Sequence, residues 1–158
     1  MDLIDRARRL ARDLIARPPH EVVCHSDIHA GNVLLAQDGT LYIVDWDDPV
    51  RAPKERDLMY VGAGLFGGWR TPDEEEALFY AGYGEVAIDE RALAYYRYER
   101  IVIDIALYCE ALLTTDAGGD DRAQSLRYLA SNFEPGQTID TAYQADHTGL
   151  FPETTPGV

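Results

Sequence analysis

His25-Ser26-Asp27-Ile28-His29-Ala30-Gly31-Asn32, followed further along by Asp45-Trp46-Asp47, is the stretch on which the reading of this sequence turns. Between the two segments lie two apolar runs, 33–36 and 41–44, separated by Gln37-Asp38-Gly39-Thr40. Asp-Gly between two such runs is a hairpin signal. Strands joined by a hairpin are antiparallel neighbours, so Asn32, before the first strand, and Asp45, after the second, are expected at the same end of the unit. Two carboxylates and a carboxamide would then converge there. These are hard oxygen donors of the kind magnesium prefers. A loop that also offers an acceptor for a hydroxyl proton has what phosphoryl transfer from a nucleotide requires. The same segment permits a second chemistry, because His25, Asp27 and His29 could serve as zinc ligands in a hydrolase.

Working outward, residues 21–25 read as a short valine-rich strand that leads into the loop. Before it, Leu3, Ile4, Ala7, Leu10, Ala11, Leu14 and Ile15 recur at helical spacing, with Asp2 as N-cap and Pro18-Pro19 as the stop. After the hairpin, Pro49 closes the element and the pattern turns helical. One helix is expected over 55–62. Thr71-Pro72-Asp73-Glu74 is a capping box that opens another to about residue 83. Asp89 can cap a long helix to about residue 113. Further helices are expected over 120–132 and near 139–145. The order gives an α+β fold, mainly helical, with a small β-hairpin carrying the functional residues.

The chain has 158 residues, 46% of them apolar, which is enough for one domain with its own core. A domain over 1–148 followed by a flexible tail over 149–158, rich in Thr, Pro and Gly, is expected. Against 28 acidic residues stand 14 basic ones, a net charge of -14. No basic stripe is evident, which disfavours nucleic acid as a partner. A cationic partner suits the balance. Cys24 and Cys109 sit in apolar runs and read as buried free thiols. The most apolar helical run, 101–113, is interrupted by Asp104 and Glu110 and is too short to span a bilayer. With no leader pattern at the charged start of the chain, a cytoplasmic location is expected.

The run from His25 to Asn32 resembles the catalytic loop of protein-kinase-like enzymes, His-x-Asp-x-x-x-x-Asn, with Asp45 in the place of their metal-binding aspartate. A histidine two residues after the aspartate and a glycine just before the asparagine make it similar to the aminoglycoside phosphotransferases and their choline- and homoserine-kinase relatives. Val22, Ile43-Val44-Asp45-Trp46-Asp47 and Ala52-Pro53-Lys54-Glu55-Arg56-Asp57-Leu58-Met59 resemble the spectinomycin phosphotransferase branch. So do Tyr95-Tyr96-Arg97-Tyr98-Glu99-Arg100-Ile101 and Gln124-Ser125-Leu126-Arg127-Tyr128. The resemblance implies the carboxy-terminal lobe of a protein-kinase-like fold. It implies ATP (or GTP) as phosphoryl donor, Mg2+ as cofactor and a small cationic hydroxylated substrate, in an antibiotic-resistance setting. Asp27 would be the catalytic base or hydroxyl orienter, and Asn32 and Asp45 the magnesium and nucleotide-phosphate ligands. His25, His29 and Asp57 would support the loop. Glu99, Asp104 and Trp69 are possible substrate contacts, among which spacing does not choose. Trp46 is expected to pack beneath the metal loop.

The chain departs from the pattern in three ways, the mildest being Ala30 where proline is frequent. Trp46-Asp47 stands where protein kinases have Phe-Gly, which argues against protein substrates. Only 24 residues precede His25, and they read as one helix. The sheet lobe of such enzymes, with its phosphate-covering loop and lysine, is therefore expected to be missing. Lys54, the single lysine of the chain, follows Asp45 and cannot be that lysine. Nucleotide binding by the chain alone is expected to be weak and its turnover low. Partnership with a separate amino-terminal lobe, self-association, or a non-catalytic binding role for a remnant of the fold are the alternatives this leaves.

Overall fold

The computed structural model describes residues 2–63, 70–114 and 118–149. Its longest element is the helix α4 (Glu90–Thr114). Around it pack α1 (Leu3–Ala16), α2 (Glu55–Leu58), α5 (Gly119–Ser131) and α6 (Thr138–Gln144). α4 begins where the Asp89 carboxylate accepts the N–H groups of Arg91 and Ala92, at 3.1 and 3.4 Å. Those amides have no partner within the helix, and the cap supplies one. The small side chains of Ala92 and Ala94 let neighbouring elements come close. Ala92 joins Cys24, Ala52, Met59, Tyr60 and Tyr96 in one core cluster. Ala94 joins Leu10, Tyr98, Ile101 and Ala142 in a second. Leu10 and Tyr98 are fully buried, and side chains of this size each contribute on the order of 2 kcal/mol by leaving water. The Tyr98 hydroxyl donates to Asp146 Oδ2 at 2.7 Å, and Arg6 pairs with the same oxygen at 3.4 Å. These bonds tie the two ends of the described chain to the central helix.

The strands form two separate antiparallel pairs. In the first, β1 (Glu21–Cys24) lies against β4 (Val50–Pro53), with Glu21 opposite Pro53 and Cys24 opposite Val50. In the second, β2 (Val33–Leu35) and β3 (Leu41–Ile43) make the expected hairpin, with Val33 opposite Ile43. Its loop is of the three-residue kind. Gly39 N–H donates to Ala36 O at 3.0 Å and Ala36 N–H donates to Thr40 O at 2.8 Å. Gly39 takes a left-handed φ of 86°, which only glycine adopts without cost. Leu34, Leu35, Leu41 and Tyr42 are all more than half exposed.

Three features differ from the sequence reading. β4 is a strand where none is expected; Pro53 closes it, at a strand end where a missing N–H is tolerated. α2 is shorter than the expected 55–62 helix. Beyond it, Arg97 of α4 binds the carbonyls of Met59 and Val61, at 3.2 and 2.6 Å, and the chain turns away. Cys24 is buried as expected, but Cys109 is only half-buried. The helix α3 (Pro72–Tyr83) carries the expected Thr71–Glu74 capping box. Trp69 and residues 150–158 of the expected tail lie outside the described residues. No helix among the described residues is long and apolar enough to cross a membrane.

Candidate active site

The functional loop enters from β1 through His25, which is buried. Its imidazole Nε2 donates to Val44 O at 2.8 Å, and its Nδ1 accepts Asp27 N–H at 3.3 Å. One ring thus fastens the start of the loop to the residue just beyond β3. With both nitrogens committed, His25 has no lone pair to offer a metal, which removes a ligand from the zinc-hydrolase reading. Trp46 stacks edge-on against this ring, centroids 4.6 Å apart, and its indole N–H donates to Ile43 O. It is half exposed, where packing beneath the loop was expected.

The Asp57 carboxylate, from α2, receives the backbone N–H groups of His25 and Ser26 at 3.0 and 2.6 Å. Bonds to a charged acceptor are about twice as strong as neutral ones. At Ser26 they hold a strained backbone. Ser26 and Asp45 have φ of 71° and 69°, a left-handed conformation uncommon outside glycine that costs on the order of 1 kcal/mol. Ser26 immediately precedes Asp27, so both strained residues stand at positions that bear on the chemistry. Such strain persists where the surroundings over-determine the backbone.

Asn32 is buried and its amide nitrogen donates to Asp27 O at 3.0 Å and Asp27 Oδ2 at 3.4 Å. The amide oxygen is left as the atom for a hard cation. Asn32 O accepts Val44 N–H at 3.0 Å, so Asp45 follows directly on the residue paired with Asn32. Asp27 and Asn32 are in contact, and the backbone at Val44, just before Asp45, is bonded to Asn32. No group of three or more His, Cys, Asp or Glu forms a metal cluster among the described residues. An amide oxygen with one carboxylate suits magnesium nonetheless, because that ion commonly takes one or two protein ligands and completes its shell from phosphates and water.

His29 Nδ1 accepts Gly31 N–H at 3.0 Å, and its Nε2 lies 3.6 Å from Asp27 Oδ2. A Cβ on Gly31 would meet His29 Cε1 at 2.7 Å, so the ring's position requires glycine there.

Asp27 is held by two residues that no motif announces. Its Oδ1 accepts the Tyr60 hydroxyl at 2.6 Å and Arg100 Nη1 at 3.0 Å. Burial, and then this bond to Asp27, push the Tyr60 hydroxyl well above its ordinary value, so it stays a donor. Arg100 Nε reaches Asp104 at 2.9 Å, and the guanidinium lies 5.7 Å from the Tyr60 ring centroid. Burial raises the Asp104 carboxyl above the usual range, opposed by Arg100. Tyr60, Arg100, Ile101 and Asp104 line a narrow cleft of about 30 Å³, with Thr138 and Thr141 of α6 on its border. Of the three possible substrate contacts, Asp104 lines this cleft. Glu99 does not; it is taken by Arg56 at 2.8 Å and the Tyr95 hydroxyl at 2.6 Å. Trp69 falls outside the described residues.

Known proteins resemble the chain in sequence and fold. Residues 2–97 match the phosphotransferase enzyme family, APH. The crystal structure of spectinomycin phosphotransferase, APH(9)-Ia, in complex with ADP and spectinomycin is similar to the chain at 43% identity and a TM-score of 0.78. The match covers 90% of this chain and 43% of that one. The AMP-bound complex of the same enzyme is similar at 43% identity and a TM-score of 0.74, covering 89% of this chain and 43% of that one. The chain thus spans less than half the length of the solved enzyme. A match over more than half of its residues, joined to 43% identity across 90% of the chain, places the chain in the phosphotransferase enzyme family.

Proposed function

We propose that this chain forms the acceptor- and metal-binding side of an ATP- and magnesium-dependent phosphotransferase that modifies a hydroxyl of a small cationic compound, with spectinomycin as the first to try. The observation that carries the reading is the fixed Asp27 carboxylate, gripped by Tyr60, Arg100 and Asn32 beside a cleft that Asp104 lines. Asp27 orients the acceptor hydroxyl and takes its proton as the bond to phosphorus forms. The Asn32 amide oxygen and the Asp45 carboxylate would hold magnesium, which when bound neutralises phosphate charge. Asp104, already paired with Arg100 on the cleft wall, would add negative charge toward a cationic acceptor, in keeping with the chain's net charge of -14. His25, His29 and Asp57 act only by fixing the loop. A cytoplasmic, antibiotic-modifying role accompanies this reading. Lys54 is taken by Glu55 and serves no phosphate here, so turnover by the chain alone is expected to be low.

Calorimetry with spectinomycin and labelled γ-phosphoryl transfer from ATP test this directly. The chain would be assayed alone and mixed with the amino-terminal half of spectinomycin phosphotransferase. Expected are spectinomycin binding by the chain, little transfer alone, and transfer on mixing. Absence of both binding and transfer, for spectinomycin and for other small cationic alcohols, would overturn the reading.

A further inference from the structure

We infer that Arg100 is a positioning residue of this site: with Tyr60 it engages one oxygen of Asp27 so that the other is presented to the acceptor hydroxyl. The inference rests on the phosphotransferase reading above. The two carboxylate oxygens of Asp27 are treated unequally. Oδ1 accepts the Tyr60 hydroxyl at 2.6 Å and Arg100 Nη1 at 3.0 Å. Oδ2 has the longer approaches, 3.4 Å from Asn32 Nδ2 and 3.6 Å from His29 Nε2. An ionised carboxylate offers about four acceptor sites, two on each oxygen. Two short bonds occupy Oδ1, and Oδ2 keeps capacity for an incoming donor. A group that orients a hydroxyl must stand within hydrogen-bond reach at a fixed angle, and small misplacements cost much of the rate.

The guanidinium is suited to fixing that angle. Its Nε faces Asp104 and its Nη1 faces Asp27, so one rigid plane spans two carboxylates. A lysine, with a single rotatable charge, cannot hold both directions. Asp104 thus anchors Arg100 from α4 itself, one helical turn away. A purely structural pairing is a poor account of this contact. The side chains of Arg100 and Asp27 are 35% and 34% exposed, and ion pairs this accessible add little to stability. Arg100 lines the cleft, and neither residue belongs to a core cluster.

The test uses Arg100→Met, Arg100→Lys and Tyr60→Phe, each checked for a native thermal transition. In the mixed phosphotransfer assay with ATP, magnesium and spectinomycin, Arg100→Met should lower kcat by about ten- to a hundredfold while acceptor KM stays within about twofold. Arg100→Lys should recover part of that loss by restoring the charge without the fork. Tyr60→Phe, which removes the other bond to Oδ1, should move kcat in the same direction. A second readout needs no turnover: the crystal structure of Arg100→Met in this chain should show the Asp27 carboxylate rotated from its present orientation, and that of Arg100→Lys should show less rotation. Wild-type kcat in Arg100→Met, or a loss confined to KM, would overturn the inference. So would an unrotated Asp27 in the Arg100→Met crystal, whether or not any form turns over. Failure of the wild-type chain to bind or phosphorylate any acceptor would defeat the phosphotransferase reading instead, and the crystal comparison would still decide what sets Asp27.

Discussion

The loop of residues 25–32 and the hairpin of residues 33–43 adjoin in sequence but are held in opposite ways. In the loop, backbone and side chains are bound from elsewhere. Asp57 takes two amides, Tyr60 and Arg100 take Asp27, and Val44 receives the His25 ring. Each of these partners is 19 or more residues away in sequence. The hairpin, by contrast, rests on its own ladder and its glycine turn. Its leucines and Tyr42 stand in solvent. The helical body thus invests its long-range bonds in the short stretch where geometry matters for chemistry. It leaves beside that stretch an apolar ribbon of the kind that usually meets another surface.

Four experiments bear on this contrast, from the largest expected effect down. Asp27→Asn should lower phosphotransfer in the mixed assay by about 10²- to 10⁴-fold with little change in spectinomycin affinity; retained turnover would mean that the tight loop serves only the fold. Asp57→Ala removes two charge-assisted bonds at once and should cost about 3 kcal/mol in urea unfolding, against a much smaller loss for any single hairpin residue. Leu35→Lys with Leu41→Lys should alter stability by no more than about 0.5 kcal/mol each while reducing self-association in sedimentation. A large destabilisation there would show the hairpin to be as firmly held as the loop. Thiol labelling gives the smallest signal. Burial pushes the Cys24 thiol up to about 11, so roughly one molecule in three thousand is thiolate at pH 7.5. Half-buried Cys109 should react first, with Cys24 following only on unfolding. Equal rates would place Cys24, which directly precedes the loop, in a looser setting than its contacts imply.

Much of this architecture is legible in the sequence because it is local. α1 shows its apolar period and its proline stop, α3 its capping box, and α4 its aspartate cap. The hairpin shows Asp38-Gly39. The motif likewise led to Asp27, Asn32, Asp45 and Asp57 as candidates. What escaped reading is non-local. Val50-Arg51-Ala52-Pro53 carries no alternation and ends in proline; it is a strand only because β1 lies alongside. α2 stops early because a guanidinium from α4 binds the carbonyls that follow it. Arg100 meets Asp27 across 73 residues, and neither its neighbours nor its helical phase announces that partner. Glu99 and Asp104 were indistinguishable as acids on one helix. Packing gives Glu99 to Arg56 and Asp104 to Arg100, and only Asp104 lines the cleft.

The left-handed turns at Ser26 and Asp45 carry one more consequence. A synthetic peptide copying residues 22–47 would contain the full motif yet lack Asp57, Tyr60 and Arg100, the groups that restrain it. Released from them, the Ser26 turn would relax toward ordinary backbone angles, and the Asp27 carboxylate would lose its orientation. Such a peptide would therefore not reproduce the arrangement seen in the whole chain. The smallest unit that keeps the loop as described must include the first half of α4, because Arg100 reaches Asp27 from there.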